Sequence, residues 1–149
     1  MNKSVSGSRY PVTGRAQSMF EVIFAIAVAA LILVGITSLA ATSVKNSSFS
    51  TNNALGTKYA QEAVEWLREE RDNNWNTFAA NAIGTEICLG SSPPSWGGSC
   101  KIPNAGLERK VTLTTIPSGA IEAVVVVSWV DNQGVHSARS VTRFTNWNR

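Results

Sequence analysis

Glu21-Val22-Ile23-Phe24-Ala25-Ile26-Ala27-Val28-Ala29-Ala30-Leu31-Ile32-Leu33-Val34 opens a stretch with no further charge until Lys45. A helix of about 20 apolar residues spans roughly 30 Å of hydrocarbon, so the run from Val22 to Val44 suffices for one membrane crossing. Lys3, Arg9 and Arg15 precede it with no acid among them, and a longer stretch of mixed charge follows. Basic residues on one flank mark the cytoplasmic side. The expected topology is a cytoplasmic N-terminus and an exported C-terminal part facing an oxidising space.

The formal net charge of +3 comes from 13 Lys+Arg against 10 Asp+Glu. With the three leading basic residues set aside, the remainder is neutral and has no net charge to steer it toward nucleic acid. A secretory signal peptide competes for the apolar run, because Ser38-Leu39-Ala40 offers the small residues of a cut before Ala41. Against it, such signals have apolar regions of about 7–15 residues, and none opens with an acid. A carboxylate at the centre of a membrane helix costs about 2.5–3.5 kcal/mol, so Glu21 needs a reason to be there. Either it stays at the interface and favours the helix dipole, or it seeks an opposite charge on a partner.

Beyond Lys45, Asn46-Ser47-Ser48-Phe49-Ser50-Thr51-Asn52-Asn53 is poor helix-forming composition and reads as a linker or as a helix leaving the membrane. Ala60, Ala63, Val64 and Leu67 then form a stripe at i, i+3, i+4, i+7, flanked by Tyr59 and Trp66, which predicts an amphipathic helix packed on a sheet. Residues 76–106 read as loop, with the Gly-, Ser- and Pro-rich run from Gly90 to Ser99 between Cys88 and Cys100. In an exported domain the two cysteines are expected to pair, closing a short loop worth roughly 3 kcal/mol; two free core thiols are the alternative. Leu107 to Ile116 alternates, with Leu107, Val111 and Leu113 on one face, and Ile121 to Val130 is a β-branched run. Asp131-Asn132-Gln133-Gly134 predicts a turn with Gly in the αL region, returning as a strand over Val135 to Thr145.

No catalytic constellation is visible, and the chain reads as a non-enzyme. Two cysteines and His136, the single histidine, fall short of the roughly four ligands of structural zinc, and no residue pattern requires a cofactor. His136, just after the turn, is expected on a solvent-facing or edge position. Glu69 and Glu70 point about 100° apart on a helix, as a solvated face would. Arg139 and Arg143 on one strand, Arg109 and Lys110 on another, and Trp147 could together meet DNA. A solvated sheet face with an ordinary aromatic core accounts for them equally, and the neutral body favours that reading.

Ala16-Gln17-Ser18-Met19-Phe20-Glu21-Val22-Ile23 resembles the prepilin processing motif of type IV pilins and type II secretion pseudopilins. The resemblance implies cleavage between Ala16 and Gln17 by a prepilin peptidase and N-methylation of Gln17. It also implies that Glu21 pairs with the terminal amine of a neighbouring subunit during filament assembly. Ala16 stands where most such motifs have Gly, and Gln17 where many have Phe. Many members also carry a proline midway along the membrane helix; Gly35, Thr37 and Ser38 are the weak point here. The implied fold is α+β and type IV pilin-like, a long N-terminal helix on a small antiparallel sheet. Its parts are a leader over 1–16, a membrane and filament-core helix over 17–44, an amphipathic helix over 45–75, and an exported loop and sheet over 76–149. The implied partners are other pilin subunits, the peptidase, an assembly platform and the membrane. The implied location is the inner membrane and then an extracellular filament. A minor pilin fits the small size, with a type II secretion pseudopilin and a DNA-binding competence pilin as alternatives.

Overall fold

A computed structural model describes residues 14–147, with side chains from Met19 onward. The leader therefore falls outside the described residues through position 13, and so do the side chains of Ala16 and Gln17. The order of elements is α1 (Gly14–Asn73), α2 (Trp75–Ala80), β1 (Ile83–Cys88), β2 (Glu108–Thr115), β3 (Ile121–Asp131) and β4 (Gly134–Phe144). The chain divides into two compact units, Met1–Asn46 and Ser47–Arg149.

In the first unit α1 is helical throughout, including Gly35 to Ser38, where the sequence suggested a weak point. Local hydroxyl bonding contributes to this continuity: Thr37 Oγ1 donates to Val34 O at 2.9 Å and Thr42 Oγ1 to Ser38 O at 3.0 Å. Both hydroxyls are satisfied within the helix and need no partner from outside.

The second unit begins with the stretch that composition marked as a possible linker, and it is helix. Thr51 Oγ1 donates to Ser47 O and Thr57 Oγ1 to Asn53 O, so the hydroxyls reinforce the turns instead of capping them. Phe49 packs on the rings of Trp129 and His136 at centroid distances of 6.1 and 5.1 Å. These contacts outweigh propensity penalties of a few tenths of a kcal/mol per residue.

The C-terminal part of α1 lies on a four-stranded antiparallel sheet of order β1-β2-β3-β4. The predicted stripe is the buried one: Ala60, Ala63, Val64 and Leu67 pack with Leu107, Val111 and Leu113 of the β2 region and with Ile121, Ala123, Val125, Val127 and Trp129 of β3. Each fully buried Leu, Ile or Val adds about 1.5–3 kcal/mol. Close approach is set by small residues on the helix. A Cβ added to Gly56 would stand 3.0 Å from the Trp129 ring and 3.2 Å from Ala138 Cβ. The β3–β4 hairpin pairs from Ile121↔Phe144 to Asp131↔Gly134, close to the predicted bounds. Gly134 closes the turn with a φ of 127°, positive but beyond the αL region expected for it.

The predicted loop over 76–106 is only partly a loop. Asn74 caps α2, its side-chain oxygen accepting from Thr77 N at 3.1 Å, and Phe78 is buried against Phe144. Strand β1 then pairs with β2, with an irregularity between Ile83 and Glu86. Neither element is periodic in sequence: α2 has 6 residues, and β1 is an exposed edge with a glycine inside it. Ladder bonds to β2, not a hydrophobic pattern, make β1 a strand.

Candidate functional site

The first candidate surface is the apolar segment of α1. Met19, Phe20, Ile23, Phe24, Leu31, Leu33, Val34 and Leu39 are all more than half exposed. The helix is long and apolar enough to cross a membrane, and none of its most apolar window is buried. A helix apolar on all sides requires lipid or other helices, since each such side chain left in water forgoes about 2 kcal/mol. Glu21 is exposed at the start of this segment. The first turn of α1 contains no acid, and the dipole acts mainly within that turn, so in the unprocessed helix the dipole does not account for Glu21.

The second candidate is the disulfide loop. Cys88 and Cys100 are bonded to each other, with Cα atoms 4.4 Å apart. Backbone bonds hold the loop to β2: Leu89 N donates to Arg109 O at 3.0 Å, and Arg109 N to Cys100 O at 2.7 Å. Gly90 N donates to Ser99 O at 2.9 Å, a closeness that only glycine allows, since a Cβ there would collide with the Ser99 to Lys101 backbone.

Arg109 corrects the expectation of a surface cation, because its exposure is 0%. Its guanidinium donates to Leu89 O at 2.7 Å, Tyr59 O at 3.1 Å and Ser91 O at 2.6 Å, and Glu62 lies 3.5 Å away. Burial lowers its pKa from the ordinary value, with Glu62 acting in the opposite direction. One side chain thus ties the loop, β2 and α1 together. Trp96 adds a second tie: its indole donates to Glu70 Oε2 at 2.8 Å, and its ring lies 4.8 Å from that of Trp66. Glu70, read from sequence as part of a solvated face, and Glu62 therefore have structural partners.

The remaining residues of the suggested DNA surface are dispersed. Lys110 Nζ bonds Glu86 at 2.9 Å, which raises its pKa, Arg143 Nε bonds Glu122 at 3.1 Å, and Trp147 Nε1 donates to Asp72 at 3.3 Å. Only Arg139 of that set keeps its charge unpaired among the described residues. His136 is on the edge strand β4, as expected, but half-buried: Nε2 is 2.9 Å from Asp131 Oδ1, and its ring stacks on Trp129. Asp131 also accepts from Gln133 N at 2.7 Å, and this backbone bond is the main cause of its lowered pKa. Among the described residues, no three His, Cys, Asp or Glu side chains are grouped to share a metal ion.

Sequence reasoning missed the Arg109 tie, although a signal was present. Arg109 stands between Leu107 and Val111 at the same two-residue period as the buried face, so alternation alone placed it inward. No protein-family model, curated protein or solved structure matches this chain.

Proposed function

We propose that the chain is a membrane-anchored, non-enzymatic structural subunit of a type IV pilus-like filament, of the minor-pilin kind. In this reading a prepilin peptidase cuts between Ala16 and Gln17, Gln17 is N-methylated, and the apolar helix holds the subunit in the inner membrane. Assembly then moves that helix from lipid into a bundle of like helices, with neither cofactor nor nucleic acid taking part. The carrying observation is the joint occurrence of Glu21, the uncharged exposed run from Val22 to Val44, and an α+β body in which the same helix packs on an antiparallel sheet. Such an apolar helix surface is equally at home against lipid and against other helices. In the second setting Glu21 gains a partner, since the amine of a neighbouring Gln17 neutralises it. A type II secretion pseudopilin would use the same parts.

Mass spectrometry of the membrane form tests the processing step, and the expected mature start is Gln17. A start at Ala41 would replace the anchor with a cleaved signal and end this reading. Glu21→Gln is expected to leave the subunit in the membrane at normal levels and keep it out of filaments. Assembled protein should carry a methylated, uncyclised Gln17; cyclised, neutral termini in filaments would refute the charge pair.

A further inference from the structure

Among the described residues, the order β1-β2-β3-β4 leaves one side of β1 and one side of β4 without a strand partner. All three pairings are antiparallel, so β1 and β4 run in opposite directions. Two copies related by simple translation would therefore bring β1 of one beside β4 of the next in antiparallel orientation, the better-bonded pairing. The edge of β4 is open along its length. Two grooves of about 350 and 420 Å³ run between it and α1, with Ser137–Thr142 on one wall and Asn53, Thr57, Gln61 and Arg68 on the other.

We propose that copies of this chain join head to tail by adding β1 of one copy to the open edge of β4 of the next. The register is set by charge and by exposed apolar groups on the sheet face away from α1. Glu86 lies on that face of β1, paired with Thr112, and Arg139 lies on that face of β4, paired with Val126. Setting Glu86 opposite Arg139 of the next copy joins an acid to the unpaired cation, with one carboxylate oxygen of Glu86 already given to Lys110. Between Ile83 and Glu86, β1 advances three residues while β2 advances two. The same irregularity then brings Ile83, 65% exposed, opposite Val141, 50% exposed. On the other face the small residues Gly84 and Thr85 come beside Ser140, where the groove against Gln61 is open.

Charge also disfavours the competing pairings. An antiparallel pair of β4 edges centred on Val141 would set Arg139 of each copy against Arg143 of the other, and a pair of β1 edges centred on Glu86 would bring two glutamates together, with like charges opposing. A β1-to-β4 junction is heterologous and repeats without closing unless a rotation closes it, which is what a filament requires. The inference deepens the filament reading and rests on it for bringing many copies side by side.

Photo-cross-linking tests it in the full chain in its native membrane, with benzoylphenylalanine placed at Ile83 or, separately, at Phe24. Mixed light and heavy isotope labelling identifies links between copies. Ile83 is expected to link to the β4 peptide around Val141 of another copy, and Arg139→Glu to lower that yield by about two- to fivefold, the worth of one cross-strand pair. Links from Phe24 between copies with none from Ile83 to β4 would overturn the strand junction while leaving the helix-packed filament in place. Absence of links between copies from both positions would overturn both. An Ile83 link whose yield is unchanged by Arg139→Glu would overturn the proposed register.

Discussion

Replacing Arg109 by alanine is the sharpest test of how the second unit is held together. The substitution removes three charge-assisted donors, at 2.7, 3.1 and 2.6 Å from Leu89 O, Tyr59 O and Ser91 O. Hydrogen bonds to charged groups contribute about 1.5–3 kcal/mol each, but three on one side chain do not add in full. Tyr59 O lies within α1, so its loss is the smallest, whereas Leu89 O and Ser91 O are left without this donor. Glu62 loses its partner but is 32% exposed and can be hydrated. Breaking a buried ionic node costs about 3–5 kcal/mol, and a value of about 4 kcal/mol is expected here. For a body of this size that is about 15–30 °C in Tm. Arg109→Lys should recover only part of this, because one ammonium cannot match a planar fork aimed at three carbonyls. Denaturant unfolding of the full chain in detergent micelles, followed by tryptophan fluorescence, reads the difference. A loss below about 1 kcal/mol for Arg109→Ala would place it with ordinary surface substitutions and refute the node.

Reduction of Cys88–Cys100, or the paired change to alanine, should cost about 3 kcal/mol for a loop of this length and make the segment from Gly90 to Ser99 the first site of protease cleavage. The Arg109 and Trp96 ties should preserve the rest of the unit, as limited proteolysis with and without reductant will show. Asp131 has a lowered folded pKa, chiefly from the Gln133 N–H, so its contribution to the turn is complete above the ordinary carboxylate range and lost as pH falls through the folded value. The protection factor of the Gln133 amide should therefore fall in acid, and Asp131→Asn should remove that pH dependence.

The apolar run, its charged flanks and the buried stripe of Ala60, Ala63, Val64 and Leu67 were legible because each is a periodic or contiguous pattern within one element. The hairpin was legible from the β-branched run over Ile121 to Val130 leading into a turn that ends in Gly134, with the chain returning after it. The expected pairing of Cys88 with Cys100, with no other cysteine to choose, is the disulfide observed. What sequence did not determine was decided by contacts between elements distant in the chain. Asn46 to Asn53 is helix by composition only weakly, and the packing of Phe49 against Trp129 and His136 supports it. Strand β1 exists because β2 offers it a ladder, and α2 is stabilised by its cap and by Phe78 against Phe144. Arg109 is the clearest case: its side chain is as compatible with water as any arginine. Only the folded backbone, which brings carbonyls from positions 59, 89 and 91 to one point, makes burying its charge favourable.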